Sequence, residues 1–573
     1  MQLTGAQALV RVLAAERVSF AFGVVGGKLA PLLHAIHGEQ SIRYVGVRHE
    51  ASGAMMAAAA FAGSGSMAVA LGEMGPGGLN LASGAGTACN NNLAALLITS
   101  NQHRAAAYPH AGMFMDLDSV ALFKPLTKWN AVVHDPRRMP ELVRRAFREA
   151  LSGRPGPVHL DVPQDVLSAQ CTFADDEFDV APERYRATSR PRPNGDAIAA
   201  AAELLRRARR PIVIAGGGVV ASGAEQRLRE FARLIQAPVL PTQMALGVVA
   251  SDSPHYIGQG GLIGGDVVQE AFAQADTIVA VGCRFSSWMW DRYGALARRH
   301  HRLININIDP AALGAPALHE IALQADADLA LADLIAALGS ADNLAVEPDW
   351  APRLRQLRLD YERKLADMAG DSSDVMHPAT LARAVAAALP RDAIVVYDGG
   401  HTTFWSNDFT STHDVRTRFH DPGMSQLGFG LPYAMSLQLQ HPGRPVINIT
   451  GDGSFGFTLP ELDSARRHGL PVVNVIHNNA AWGIIQAGQR AQLGFEMGTS
   501  LAGTDYAAIA RGFGCLGETV TTPDQVAPAL TRAFASGLPS VIDCHTRFVP
   551  HPCRAAFASM NQYSFDAVAP PAP

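Results

Sequence analysis

The stretch from Pro445 to Ile485 limits the possible folds more than any other part of the chain. An apolar run, Val446-Ile-Asn-Ile-Thr450, leads directly into Gly451-Asp452-Gly453-Ser454. A helix is expected to open near Thr458, a suitable N-cap, with Pro460 in its first turn. Arg466-Arg467-His468 followed by Gly469 is the usual punctuation of a helix end. Leu470-Pro471 then turns the chain into a second apolar run, Val472–His477, which stops at Asn478-Asn479. This is a βαβ unit with parallel strands and a right-handed crossover. Asp452 and Asn479 therefore emerge at one sheet edge, and neighbouring strands lie only about 4.8 Å apart. One cation fits between two such loops, and ligands of doubly wound sheets collect at that edge. A carboxylate, an amide oxygen, a main-chain carbonyl and diphosphate oxygens together suit the octahedron of Mg2+. N–H groups beyond Gly453 suit phosphate. Taken alone, G-D-G reads equally well as an Asx turn between strand and helix. The Asn-Asn at the end of the next strand is what favours the ion.

The remaining chain repeats this style. At 573 residues it is too long for one core, since single cores stop growing near roughly 250–300 residues. Apolar runs at Phe20–Val25, Ile42–Val47, Met67–Leu71, Ala94–Thr99 and Val158–Val162 alternate with helical stretches in a first block, residues 1–171. Pro211–Ala215, Thr277–Val281 and Leu303–Ile308 do so in a second block, 195–339. Ala393–Val396, Pro445–Thr450, Pro471–His477 and Ser540–Cys544 do so in a third, 374–548. The expected class is α/β, with three doubly wound domains of mainly parallel sheet. Polar, Pro-containing stretches at Phe173–Asn194 and Ser340–Pro352 read as linkers, and 549–573 as a tail or lid. The first and third blocks resemble distant copies of one fold.

Charge and cysteine use remove other classes. A net charge of −5 gives no case for nucleic acid or an anionic membrane. Six scattered cysteines without a C-x-x-C pair argue against a zinc site and a disulfide framework. The N-terminus reads as an amphipathic helix rather than a signal peptide, and no apolar run reaches the length of a membrane span. A cytoplasmic enzyme is the expectation.

Gly451-Asp452-Gly453 followed by Asn478-Asn479, with 27 positions from Asp452 to Asn479, resembles the signature of thiamine-diphosphate-dependent enzymes. Over nearly the whole chain the likeness is to the acetolactate synthase, benzaldehyde lyase and 2-hydroxyacyl-CoA lyase group. The resemblance implies pyrimidine-binding, central and pyrophosphate-binding domains. It implies Mg2+ on Asp452, Asn479 and the main-chain oxygen of Ala481. It also implies diphosphate contacts from Ser454, Gly483 and Ile484 and from Gly400, His401 and Thr402, with Gly453 and Trp482 as further cofactor-binding residues, Trp482 capping the site or packing. Thiamine chemistry needs a carboxylic acid on the aminopyrimidine ring, and Glu50, in Arg48-His49-Glu50, matches that acid. Leu427, beside Gln426, matches the apolar wedge that bends the cofactor. Met74-Gly-Pro76-Gly-Gly-Leu-Asn80 matches the turn lining the pyrimidine. A homodimer or homotetramer with active sites shared between subunits is implied as well.

Several positions depart from the family pattern. Lys28 stands where the family has Ala or Ser after two glycines, and is read as a clamp for a carboxylate or developing oxyanion. Phe114-Met115-Asp116 stands for F-Q-E, leaving His110 and Asn101 as candidate polar contacts. His551, Arg554 and Tyr563 are candidate lid residues. Gly216-Gly-Gly218, Gly282-Cys-Arg284-Phe285 and Ile308-Asp309-Pro310 resemble flavin- or ADP-lining segments, but Ser286-Ser287-Trp288 replaces D-D-R, so a required flavin is not expected. The function read here is a lyase or carboligase acting on 2-oxo acids, aldehydes or acyloins (2-hydroxy carbonyl compounds). A simple 2-oxo acid decarboxylase and a flavin-dependent oxidase are its alternatives.

Overall fold

The alternation of apolar runs and helices resolves into three parallel sheets. The computed structural model describes residues 1–109, 112–261, 264–286, 289, 301–314, 318–371 and 373–552. A short antiparallel ribbon, β1 (Gln2–Thr4) with β8 (Gln170–Thr172), closes the first unit. Between them lie β2 (Phe20–Gly23), β3 (Arg43–Gly46), β4 (Val69–Gly72), β5 (Leu96–Asn101), β6 (Trp129–Val132) and β7 (Val158–Pro163), ordered 3-2-4-5-7-6. The middle sheet holds β9 (Pro211–Ala215), β10 (Val239–Pro241), β11 (Thr277–Val281), β12 (Arg302–Asn307) and β13 (Ile321–Gln324), ordered 10-9-11-12-13. The last holds β14 (Ile394–Tyr397), β15 (Arg418–Phe419), β16 (Val446–Gly451), β17 (Val473–Asn478), β18 (Leu516–Val520) and β19 (Ser540–His545), ordered 15-14-16-17-19-18. Numbered within themselves, the first and last sheets share one order, 2-1-3-4-6-5. The two outer units are copies of one topology.

Seven strands went unread in the sequence: β1 and β8 of the ribbon, and β6, β10, β13, β15 and β18. Each is a sheet edge. Edge strands are short or half-buried and carry no continuous apolar run, whereas interior strands are covered on both faces. The helix expected to open near Thr458 is a second difference. The helix that ends at His468, closed by left-handed Gly469 as expected, opens at Glu461, and a separate helix, Asp452–Thr458, precedes it. Thr458 is therefore no N-cap; its hydroxyl donates to the Gly428 carbonyl at 2.6 Å. The start of the chain is likewise strand before helix, with Thr4 capping Gly5–Ala15.

The first and last units share one core. Helix Glu50–Ser64 is apolar on every side, as befits a helix enclosed all round. It packs on the equally buried helix Gly430–Gln440, and Ser436 Oγ donates to the Met56 carbonyl at 2.7 Å. Glu461, buried in the last unit, accepts the N–H groups of Arg48 and His49 at 3.1 Å. A carboxylate thus lies against the positive end of a helix from another unit, whose own cap is the His49 side chain accepting the Ala51 N–H at 3.2 Å. Thr87 and Asn91 of helix Pro76–Asn91 likewise donate to the buried Asp421. Among the described residues no helix is long and apolar enough to cross a membrane.

Gly430 lies where this shared core meets the last sheet. A Cβ there would stand 2.2 Å from Asn448 Oδ1 and 2.7 Å from Asp398 Cβ. Gly430→Ala should therefore destabilise by roughly 1–3 kcal/mol, read as a drop of several degrees in melting temperature by calorimetry. An unchanged melting temperature would count against this packing.

Candidate functional site

Strands β16 and β17 run side by side with Gly451 opposite His477, so the loops that follow them are neighbours. Asp452 opens the helix after β16 and is only 3% exposed. Its Oδ2 has no hydrogen-bond partner among the described residues. Burial pushes this carboxyl up to about 6, against the pull of N–H groups of Gly453, Ala480 and Ala481. Tyr506 holds the Asp452 carbonyl from behind at 3.0 Å. After β17, Asn478 turns inward to Asp543 and the Thr504 carbonyl, while Asn479 Oδ1 accepts the Ala481 N–H at 3.2 Å. Ala480 between them takes a left-handed φ of 51° to make the corner.

Three loops converge here because glycines let them. A Cβ on Gly453 would lie 2.5 Å from the Trp482 ring, on Gly483 2.7 Å from the Phe548 ring, and on Gly400 2.9 Å from Ile484. Gly399, at φ 100°, passes Ser454 Oγ, and Gly451 passes Thr402 Oγ1 at 3.2 Å from a built Cβ. His401 stacks on Phe548 with ring centroids 5.7 Å apart. The segments 399–402, 451–454 and 479–484 thus form one cradle around an unpaired carboxylate oxygen. A buried oxygen without a donor is costly unless a cation meets it.

The first sheet offers a matching rim. Glu50 begins its helix at 8% exposure, and its Oε2 accepts Asn80 Nδ2 at 3.0 Å. Gly77 passes so close that a Cβ would sit 3.1 Å from Glu50 Oε1 and 3.2 Å from Glu73 Cβ. Glu73 in turn accepts the Lys28 and Leu29 N–H groups at 3.1–3.3 Å and the Ser100 hydroxyl at 3.1 Å. Pro76 is the first residue of the helix carrying Asn80.

The chain resembles known proteins along nearly its full length. The description "thiamine pyrophosphate enzyme, N-terminal TPP binding domain" matches residues 3–122, the central domain 198–334, and the C-terminal TPP binding domain 398–544. A probable acetolactate synthase large subunit of Methanocaldococcus jannaschii is 30% identical over 94% of this chain and 91% of its own. The acetolactate synthase large subunit of Parasynechococcus marenigrum is 31% identical over 95% and 88%. That of Escherichia coli isozyme 2 is 30% identical over 94% and 95%.

The chain belongs to the thiamine pyrophosphate enzyme family.

Within this enzyme, some singled-out residues stand together and others do not. Asp452, Asn479 and Ala481 share one corner, and Ser454, Thr402, Trp482 and Ile484 surround it. Leu427 is half-buried and followed by Gly428 and Gly430, whose N–H groups donate to Asp398 at 3.3 and 3.1 Å. Gln426 spends its amide on Thr87 and Ser83, 2.9 and 2.8 Å away. Asn101 is committed to Asp161 at 2.6 Å and supplies no outward contact. Met115, at φ 59°, packs its backbone on Gly75. His551 is anchored on Asp408, 2.9 Å away, with both groups buried, so it is placed as a strut. His110, Trp288, Arg554 and Tyr563 lie outside the described residues. The segments at Gly216–Gly218 and Gly282–Phe285 line a cavity of about 460 Å3 between the three units.

Sequence reasoning missed Asp398, Glu73 and Glu461. Asp398 follows β14 and grips the segment after Leu427, joining two loops of the cradle; burial pushes its carboxyl up to about 7. Its only sequence signal is a lone acid at a strand end. Glu73 holds the 26–29 loop by main-chain bonds worth roughly 1–3 kcal/mol to lose. Glu73→Ala should therefore speed amide exchange at Lys28 and Leu29 about tenfold or more in hydrogen–deuterium exchange. Unaltered protection there would refute this anchoring.

Proposed function

We propose that the enzyme is a Mg2+-dependent carboligase acting on 2-oxo acids or 2-hydroxy carbonyl compounds. The observation that carries this reading is the buried Asp452 Oδ2, without a donor, beside Asn479 in a glycine-lined cradle. A carboxylate, an amide oxygen and a carbonyl leave room for phosphate oxygens around a hard cation. Asp452, Asn479 and the Ala481 carbonyl would hold Mg2+, with Gly453, Ser454, Gly483 and Ile484 against the diphosphate and Gly400, His401 and Thr402 closing over it. Bound thiamine diphosphate supplies the electron sink for making or breaking a bond beside a carbonyl.

The chain's own groups do the rest. Glu50 holds a proton at the aminopyrimidine ring nitrogen, with Asn80 fixing its orientation. Leu427 would give the cofactor apolar support, on a segment that Asp398 holds through the Gly428 and Gly430 N–H groups. In the overall conversion the donor loses CO2 or an aldehyde, and the remaining acyl fragment joins an acceptor aldehyde or ketone. Relatives named as synthases favour this ligation over release alone.

Self-association is part of the proposal. Large apolar side chains stand exposed beside both rims: Val25 at 68% and Phe114 at 76% on the first, Phe457 at 62% and Met497 at 77% on the last. Grouped exposure of this kind marks surfaces that bind another chain, here a second copy that brings its Glu50 rim to the Asp452 cradle.

Three outcomes test the reading. Product NMR with thiamine diphosphate, Mg2+ and a panel of 2-oxo acids and acyloins should show a new carbon–carbon bond. Aldehyde alone would indicate a decarboxylase instead. Asp452→Ala should lose the rise in melting temperature that Mg2+ and thiamine diphosphate give the parent protein; an undiminished rise would place the cofactor elsewhere. Glu50→Gln should keep that rise yet lose about 10²–10⁴-fold in turnover, and parent-like rates would remove Glu50 from the relay.

A further inference from the structure

The loop after β2 carries a cation in an unusual setting. Lys28 is half-buried, and its Nζ donates to Gln164 Oε1 at 2.9 Å. Gln164 is neutral. Among the described residues Lys28 forms no ion pair, although two carboxylates lie close by in the fold. Glu73 faces the main-chain N–H groups of Lys28 and Leu29 and the Ser100 hydroxyl. Asp165, next to Gln164, is taken by Arg104 Nε at 2.7 Å. Both acids are therefore spent on other donors, and the ammonium keeps two of its three protons free for an incoming acceptor. Removing a lysine partly from water without a counter-charge is unfavourable, so its persistence here needs a reason.

Place supplies that reason. Lys28 follows β2, Glu50 follows β3, Glu73 follows β4 and Gln164 follows β7, all at the carboxyl ends of one parallel sheet. Through Gly77, the Glu73 side chain that braces Lys28 is a near neighbour of Glu50. Gly26 is pressed against the same carboxylate, so the loop's path is set by Glu73 rather than by solvent. The ammonium thus stands on the rim that carries the activating acid, on a braced loop, beside an amide able to donate through Nε2 while it accepts through Oε1.

We propose that Lys28 and Gln164 form a specificity-determining pair that receives an oxyanionic end group, a carboxylate in the first instance, of the acceptor substrate. This rests on the carboligase reading and adds to it the charge of the second substrate. The acceptor is singled out for a physical reason. A salt bridge to a carboxylate that must depart as CO2 stabilises the ground state and slows its loss, because only interactions stronger in the transition state accelerate a step. The acceptor's carboxylate survives into the product, so a fixed cation binds it at no such cost. Lys28 donates charge-assisted hydrogen bonds to one oxygen, and Gln164 Nε2 donates to the other.

The test is calorimetric titration of the full-length holoenzyme with oxamate and its neutral counterpart oxamide, neither of which can be turned over. The parent protein should prefer oxamate by about tenfold or more, the scale of a charge-assisted hydrogen bond. Lys28→Met should abolish that preference, Gln164→Leu should reduce it severalfold, and Lys28→Arg should retain part of it. In ligation assays the ratio of kcat/KM for a 2-oxo acid over a neutral aldehyde acceptor should fall by a comparable factor in Lys28→Met. Equal affinity for the two probes in the parent protein, or an undiminished preference in Lys28→Met of parent-like melting temperature, would overturn the proposal. Absence of any ligated product with every acceptor would instead defeat the carboligase reading, and the titration would still decide the role of the pair.

Discussion

A carboxylate oxygen of Asp452, sealed from solvent and without a donor, is the point around which the rest of the molecule is arranged. Two constraints put it there. Parallel pairing of β16 and β17 brings their outgoing loops to one edge, and the glycines at 451, 453 and 483 remove the side chains that would hold those loops apart. The inward turn of Asn478 onto Asp543 leaves Asn479 as the amide of the corner. Electrostatics inside such a cradle favours a cation strongly, since an unpaired buried charge costs more than a paired one.

The second rim depends on how the outer units meet. Helix Glu50–Ser64 is enclosed by apolar neighbours, and Glu461 of the last unit holds the Arg48 and His49 N–H groups just before it. The His49 side chain caps the helix by accepting the Ala51 N–H, and the first residue of that helix is Glu50. A packing contact between units therefore sets the position of the proposed acid. The shared strand order of the two outer sheets shows the economy of the arrangement: one topology carries an acid at its rim in one copy and the cradle in the other. Asp398 and Glu73 play similar parts at their own sheet edges, each spending a carboxylate on main-chain N–H groups to brace a loop.

Much of this was legible in the sequence, for identifiable reasons. Interior strands of parallel sheets are apolar runs, and those were readable. Edge strands such as Arg418–Phe419 and Leu516–Val520 carry no such run, and were not. The Asp452–Asn479 pairing followed from βαβ geometry, yet the helix start was placed slightly early and the short helix before it went unread, because Thr458 and Pro460 stand where the chain breaks between two helices. Residues whose role is to hold others escaped notice. Glu73, Asp398 and Glu461 act through contacts between segments distant in sequence, and a lone acid leaves no pattern. Asn101 shows the converse, since its polar side chain at a strand end proved to be turned into a buried network with Asp161.

Anomalous diffraction from crystals of the enzyme grown with Mn2+ and thiamine diphosphate tests the central claim most directly. A single strong peak about 2.0–2.3 Å from an Asp452 carboxylate oxygen and from the Asn479 side-chain oxygen, with cofactor phosphate on its far side, is the result expected. A peak away from these two loops, or cofactor phosphates bound there with no metal between, would contradict it.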